Sequence, residues 1–239
     1  MKIYPTINAC NKVLNKSFSQ LHENVSNKYF ESLLQNFNFS KYDRDSIINK
    51  IISNYKQPNR GYHGIKHILD MLQSFDMFLY ESNQHIQIKN PNEFRFAILM
   101  HDYINGEADE VEKSKLKAKE FLHKISPIYN TSYVEALIQA TDYSKNQHLT
   151  FDQQLMQDID VEILGKTPEE YIRYSKEIRA QYSNYSDEIY NPARIKVLKS
   201  FLNKNSIYNT EYYKNKYETS ARINIEREIE ALEKQVEQA

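Results

Sequence analysis

The chain has 239 residues, 31 basic and 32 acidic, with four glycines, one cysteine and no tryptophan. Average usage would supply roughly seventeen glycines, so hairpin-rich β folds and glycine-rich phosphate loops lose support, and neither GxGxxG nor GxxxxGK(S/T) occurs. The net charge of −1 excludes a general nucleic-acid or anionic-membrane binder, and no apolar run approaches the ~20 residues of a membrane span.

An all-α chain is expected, read as one helical domain over residues 1–239, with a core over about 40–230 and a loose segment at 1–17. Leu21, Val25, Tyr29, Leu33 and Phe37 form a first 3.6-residue stripe. Ile47, Ile48, Ile51, Ile52 and Tyr55 form a second, with Asp43 or Asp45 as N-cap and Pro58 as its stop. A third helix starts near Gly61–His63 and turns Ile65, Ile68, Leu69, Leu72, Phe75 and Leu79 inward. Pro91 opens a helix carrying Phe94, Ala97, Ile98 and Met100. A charged helix follows over Glu107–Ile125. The next, over Tyr133–Asp142 after Pro127, has Val134, Leu137, Ile138 and Thr141 on its stripe. Residues 152–164 carry Leu155, Ile159, Ile163 and Leu164, with Gly165 as the residue just past the helix end. Thr167-Pro168-Glu169-Glu170 reads as an N-cap, an N1 proline and an acidic first turn, opening a helix to about Tyr182. Pro192 opens another, with Ile195, Leu198, Phe201 and Leu202, and the last runs from about Thr210 to Val236. The many tyrosines read as core packing in a tryptophan-free protein. Met1–Gln20 has no secretory apolar segment, and Cys10 has no internal disulfide partner, as expected of a cytoplasmic protein.

Five residues carry the chemistry. His63 and His67 share a helical face, about 40° apart. His101-Asp102 ends an apolar helix, and Asp160 lies between Ile159 and Val161, where a bare buried charge needs a partner. Two imidazoles and two carboxylates suit Mn²⁺, Fe²⁺, Co²⁺, Ni²⁺ or Zn²⁺, which lowers the pKa of bound water and neutralises a phosphoryl oxygen. Isolated histidines such as His22, His85 and His123 read as caps or surface residues. Arg60, Lys66, Lys145, Arg179, Arg194 and Arg222 are candidate phosphate contacts. Gly61, Gly106 and Gly165 sit beside the three segments that supply the site, which suggests one shared pocket.

The segments Pro58–His67, Ala97–Tyr103, Ala140-Thr141 and Gln157–Gly165 resemble the HD superfamily of metal-dependent phosphohydrolases. The likeness continues through Tyr171, Tyr174, Ile178-Arg179, Tyr182, Arg194, Phe201-Leu202, Ile207-Tyr208, Glu218 and Ala221–Asn224. It implies an all-α HD bundle with metal ligands at His67, His101, Asp102 and Asp160. Asp158 competes for the last place, but it points about 200° away from Asp160 on a helix, and the Ile159-Asp160-Val161 context fits the HD pattern better. Tyr62-His63-x3-His67 also resembles cyclic nucleotide phosphodiesterases, which makes His63 the general acid. His63 and Asp102 are thus the catalytic candidates, and Arg60, Lys66, Arg179 and Arg222 the substrate-binding ones. Relatives often carry a histidine soon after Ala-Thr, whereas this chain reads Asp142-Tyr143-Ser144, so one ion is expected rather than two unless Asp142 or His148 substitutes. The same shortage of histidines argues against a two-iron oxygenase. The expected activity is hydrolysis of a small phosphate ester, most naturally a nucleotide. A non-catalytic HD module that binds a nucleotide or a partner protein is the alternative.

Overall fold

The structure, a computed structural model, describes residues 41–82, 88–125, 130–145 and 148–238. The stripe over Leu21–Phe37, the segment 1–17, Cys10, His22, His85 and Pro127 lie outside the described residues. Among the described residues there are nine α-helices and two 3₁₀ helices, and no strand. They are α1 (Lys41–Tyr55), a 3₁₀ helix (Pro58–His63), α2 (Ile65–Glu81), α3 (Pro91–Met100), α4 (Glu110–Ile125), α5 (Thr131–Ala140), α6 (Phe151–Asp160), a second 3₁₀ helix (Glu162–Gly165), α7 (Pro168–Gln181), α8 (Asp187–Leu202) and α9 (Glu211–Glu237). None of these helices is long and apolar enough to cross a membrane.

Helix α3 is the hub, because every residue from Glu93 to Met100 is buried. A helix apolar all round belongs inside other helices, and α2, α4 and α5 enclose this one. Phe75 of α2 stacks on Phe94 at 4.2 Å. Of the charged residues of α3, Arg95 pairs with Asp76 at 2.6 Å, and Glu93 accepts from the Asn130 amide at 2.8 Å through Oε1 while its Oε2 is buried without a hydrogen bond. The stripe Ile47, Ile48, Ile51, Ile52 and Tyr55 is buried as expected, and the Tyr55 hydroxyl donates to the Leu99 carbonyl at 2.9 Å. Burying each such side chain is worth roughly 1.5–3 kcal/mol.

Five boundaries differ from the sequence expectation. Helix α2 starts at Ile65 after an extended Gly64, while His63 ends the preceding 3₁₀ helix, so His63 and His67 do not share one continuous helical face. Helix α1 already starts at Lys41, so Asp43 and Asp45 lie inside it rather than capping it. Helix α4 starts at Glu110, because Gly106 at φ +76° and Asp109 at φ +58° keep the intervening residues out of helix. Pro192 sits inside α8: Ser186 is the N-cap, and Asp187 and Glu188 supply the acidic first turn ahead of the proline. Residues 152–164 split at Val161, and the 3₁₀ turn ends at Gly165, which does not adopt a left-handed conformation. Gly165 is needed for space instead, since a Cβ there would meet Tyr217 Cβ at 2.5 Å and the Tyr217 carbonyl at 2.9 Å. Gly106 has nothing within 4 Å of that position, so its need is the backbone at φ +76° rather than space. Other signals hold. Thr167 and Glu170 form a reciprocal capping box on α7, and Thr210 is the N-cap residue of α9.

Candidate metal centre

Three buried helix ends converge on one point. His67 lies in the first turn of α2, His101 caps the C-terminus of α3 with Asp102 just beyond it, and Asp160 ends α6. His67 Nε2 and His101 Nε2 are 3.4 Å apart. Asp102 Oδ2 is 3.2 Å from His101 Nε2 and 3.7 Å from His67 Nε2. Asp160 Oδ1 is 3.2 Å from His67 Nε2 and 3.5 Å from His101 Nε2. His67, His101 and Asp102 together could hold a metal ion.

The far nitrogen of each imidazole has a fixed partner. His101 Nδ1 donates to the Ile98 carbonyl at 2.9 Å, since a carbonyl can only accept, and Nε2 is left with its lone pair toward the site. His67 Nδ1 lies 3.1 Å from the Tyr62 hydroxyl, which leaves its Nε2 for the same centre. A metal-bound histidine needs this kind of support behind it. The carboxylates are supported too. The Tyr143 hydroxyl donates to Asp160 Oδ2 at 2.9 Å, so Oδ1 remains for the histidines. Arg60 is 5% exposed and donates to the backbone carbonyls of Asp102 and Tyr103, with its guanidinium over the Tyr55 ring. That clamp holds the turn carrying Asp102. Asp102 Oδ2 itself is buried and receives no hydrogen bond.

Charge at the centre is strongly coupled. Burial opposes a charge on His101, but Asp102 and Asp160 outweigh it and hold the imidazole well above its usual range. Burial also opposes a charge on Asp102, yet His101, His63 and His67 bring its carboxyl down to about 2. Asp160 is pulled below the usual carboxylate range against its burial, by hydrogen bonds from His101 and His67. Desolvation and the Asp160 charge keep the Tyr143 hydroxyl protonated, well above the ordinary phenol range.

Asp158 faces elsewhere. It accepts from the Asn209 amide at 2.6 Å, the Thr210 amide at 2.7 Å and the Thr210 hydroxyl at 2.6 Å, so it caps α9 from across the fold. Burial pushes its carboxyl up to about 6 even so. Asp142 is used locally by Ser144 and Lys145, and His148 is exposed, so neither joins the centre. His123 is exposed on α4.

The expected phosphate contacts already have protein partners. Lys66 pairs with Asp70, Lys145 with Asp142 and Arg194 with Glu228. Arg179 binds Asp187 at 2.7 Å and the carbonyls of Tyr182 and Tyr185. Arg222 binds Glu218 at 2.8 Å and the carbonyls of Leu202, Lys204 and Asn205. These residues brace helix ends, and Arg60 does the same for the Asp102 turn. Among the tyrosines, Tyr171, Tyr174 and Tyr190 are buried while Tyr182 and Tyr185 stay exposed.

Residue reasoning did not single out Tyr143, Asn105 or Gln181 as part of the site. The only local hint was Tyr143, two residues after Thr141. No family model, no curated protein and no solved structure matches the chain.

Proposed function

We propose that the chain is a metal-dependent phosphohydrolase of the HD type that hydrolyses a small phosphate ester, with a nucleotide as the favoured substrate class. The observation that carries this reading is Asp102 Oδ2, a buried carboxylate oxygen with no hydrogen bond, set 3.2 Å from an imidazole nitrogen whose own lone pair faces it. Leaving such an oxygen unsatisfied costs about 1–3 kcal/mol or more, and a cation removes that cost. His67, His101, Asp102 and Asp160 would hold one divalent ion of the Mn, Fe, Co, Ni or Zn type. When bound, that ion supplies a water of lowered pKa and neutralises charge on the phosphoryl group.

The chain's own groups divide the remaining work. His67 Nδ1 lies against the Tyr62 hydroxyl and His101 Nδ1 against the Ile98 carbonyl, which turns both Nε2 atoms toward the centre. Asp102 has a second oxygen able to take a proton from an attacking water. His63, whose ring lies 5.8 Å from that of His67, gives a proton to the leaving oxygen. Arg60, Arg179, Arg194 and Arg222 each bind backbone carbonyls or a carboxylate of the fold, whereas Lys66 and Lys145 hold only exposed surface ion pairs. Of the six it is Lys66, one residue from His67, that this reading assigns to the phosphate.

The reading is tested by measuring the metal in the purified protein and screening nucleotides, cyclic nucleotides and generic phosphoesters with Mn²⁺, Ni²⁺ and Co²⁺. His101→Ala and Asp102→Ala are expected to lose the metal and to lower turnover by at least about 10²-fold. Turnover that survives both substitutions would overturn the assignment. Tight metal with no turnover on any ester would favour the non-catalytic binding module.

A further inference from the structure

His63 closes the first 3₁₀ helix, and its Nδ1 lies 2.9 Å from Gln181 Oε1 at the end of α7. Gln181 Nε2 in turn donates to Asn105 Oδ1 at 3.2 Å. Asn105 belongs to the loop that follows His101-Asp102, so the three residues link α7, the 3₁₀ helix and the Asp102 loop. The direction of the bonds settles a proton. Asn105 Oδ1 can only accept, so Gln181 turns its NH₂ toward Asn105 and its oxygen toward His63. That oxygen also only accepts, so the hydrogen sits on His63 Nδ1. Nε2 then carries the lone pair in the neutral ring and is the nitrogen that gains and gives the catalytic proton.

Gly61 makes this approach possible. It holds φ +51°, and a Cβ there would lie 2.6 Å from Gln181 Cβ and 3.1 Å from the Glu177 carbonyl. Two independent features of the backbone, a left-handed turn and a missing side chain, therefore seat Gln181 against His63. The atoms met are mainly Cβ and backbone of α7, so Gly61 sets how closely α7 approaches the 3₁₀ helix that carries His63, and the Gln181 amide completes the contact.

We infer that Gln181 and Asn105 are positioning residues that hold His63 in the Nδ1–H tautomer, with Nε2 as the nitrogen available to a bound ligand. The tautomer follows from the hydrogen bonds alone, and only its catalytic consequence rests on the phosphohydrolase proposal.

The experiment uses the full chain labelled with ¹⁵N-histidine, metal-free, at alkaline pH. Two-bond ¹H–¹⁵N correlation spectra report which ring nitrogen carries the proton, and His63→Gln assigns the signal by its loss. The wild type is expected to show Nδ1–H at His63. Gln181→Leu is expected to shift the ring toward the Nε2–H form that a free imidazole prefers, and Gln181→Glu to restore Nδ1–H. Asn105→Ala provides a second variant should Gln181→Leu fail to fold, with a smaller shift in the same direction. An Nε2–H ring in the wild type, or Nδ1–H retained in both Gln181→Leu and Asn105→Ala, would overturn the inference. Where phosphoester turnover is found, Gln181→Leu is expected to lower kcat by about 10- to 100-fold with KM little changed. An equal loss through KM would overturn the positioning role. A tautomer shift without turnover in any variant would sustain the inference and count against the phosphohydrolase reading alone.

Discussion

Two carboxylates that face two imidazoles inside a protein must share a positive charge, and either a proton or a metal ion supplies it. His101 is raised above the ordinary imidazole value of about 6.5, so its contribution to the metal-free fold is complete below that pH and is lost as pH rises through the raised value. Asp102 is lowered from 3.8 to about 2, so its contribution is complete above 3.8 and is lost as pH falls toward 2. Between about pH 4 and 6.5 the centre satisfies itself with a proton. The proton is held until pH passes the raised His101 value, and below that value an incoming ion must displace it. Metal affinity is therefore expected to rise by about tenfold per pH unit until the raised His101 value is passed. Competition with a chelator at pH 6, 7 and 8 measures this, and a flat profile would show that no proton is displaced. At this scale the sequence showed the residues that converge, because imidazole and carboxylate at helix ends in apolar surroundings are rare without a reason. It did not show Tyr143, Gln181 or Asn105. Their hydrogen bonds close over 17, 118 and 76 residues of chain and leave no periodic trace.

Helix ends decide how well the elements could be foreseen. Thr167-Pro168-Glu169-Glu170 announced α7 because its capping chemistry is complete within four residues. Pro192 misled, since a proline can sit one and a half turns into a helix when a serine N-cap and two acidic residues precede it. Gly165 was foreseen as a helix terminator, yet its role depends on α9, more than forty residues further along the chain. That role can be tested against another glycine. Gly165→Ala places a methyl group 2.5 Å from Tyr217 Cβ and 2.8 Å from the Tyr208 hydroxyl, which forces the second 3₁₀ helix off α9. The expected loss is about 1–3 kcal/mol, as for other overpacked sites. Gly106→Ala meets no atom within 4 Å and pays only for its left-handed backbone, about 1–2 kcal/mol. Urea denaturation separates the two through a suppressor. Tyr217→Gly, which removes the Cβ that the new methyl meets, should recover part of the Gly165→Ala loss when each double variant is compared with Tyr217→Gly alone, and none of the Gly106→Ala loss. No recovery at Gly165 would mean that the contact with α9 does not limit that position.

The candidate ligands come from α2, the end of α3 and the end of α6, and α3 is the buried helix that α2, α4 and α5 enclose. An ion bound there ties the hub to two surrounding helices and exists only in the folded chain, so it stabilises by mass action. At a free ion concentration of 100 times Kd the gain is about 2.7 kcal/mol, or a rise in Tm of about 5–10 °C for a chain of this size. The two neighbouring aspartates should respond in opposite ways. Asp158→Asn puts an amide nitrogen against the donors of Asn209 and Thr210 and weakens the start of α9. It should lower Tm of the metal-free protein yet leave the metal-induced rise intact. Asp160→Asn removes one of the two charges beside His67 and His101 while keeping an acceptor for Tyr143. It should change the metal-free Tm little and remove most of the rise. Thermal scans with and without Mn²⁺, Co²⁺, Ni²⁺ and Zn²⁺, followed by chelation, read both effects in one series. A rise that survived Asp160→Asn but vanished with Asp158→Asn would move the last ligand to the other face of α6 and turn the proposed centre around.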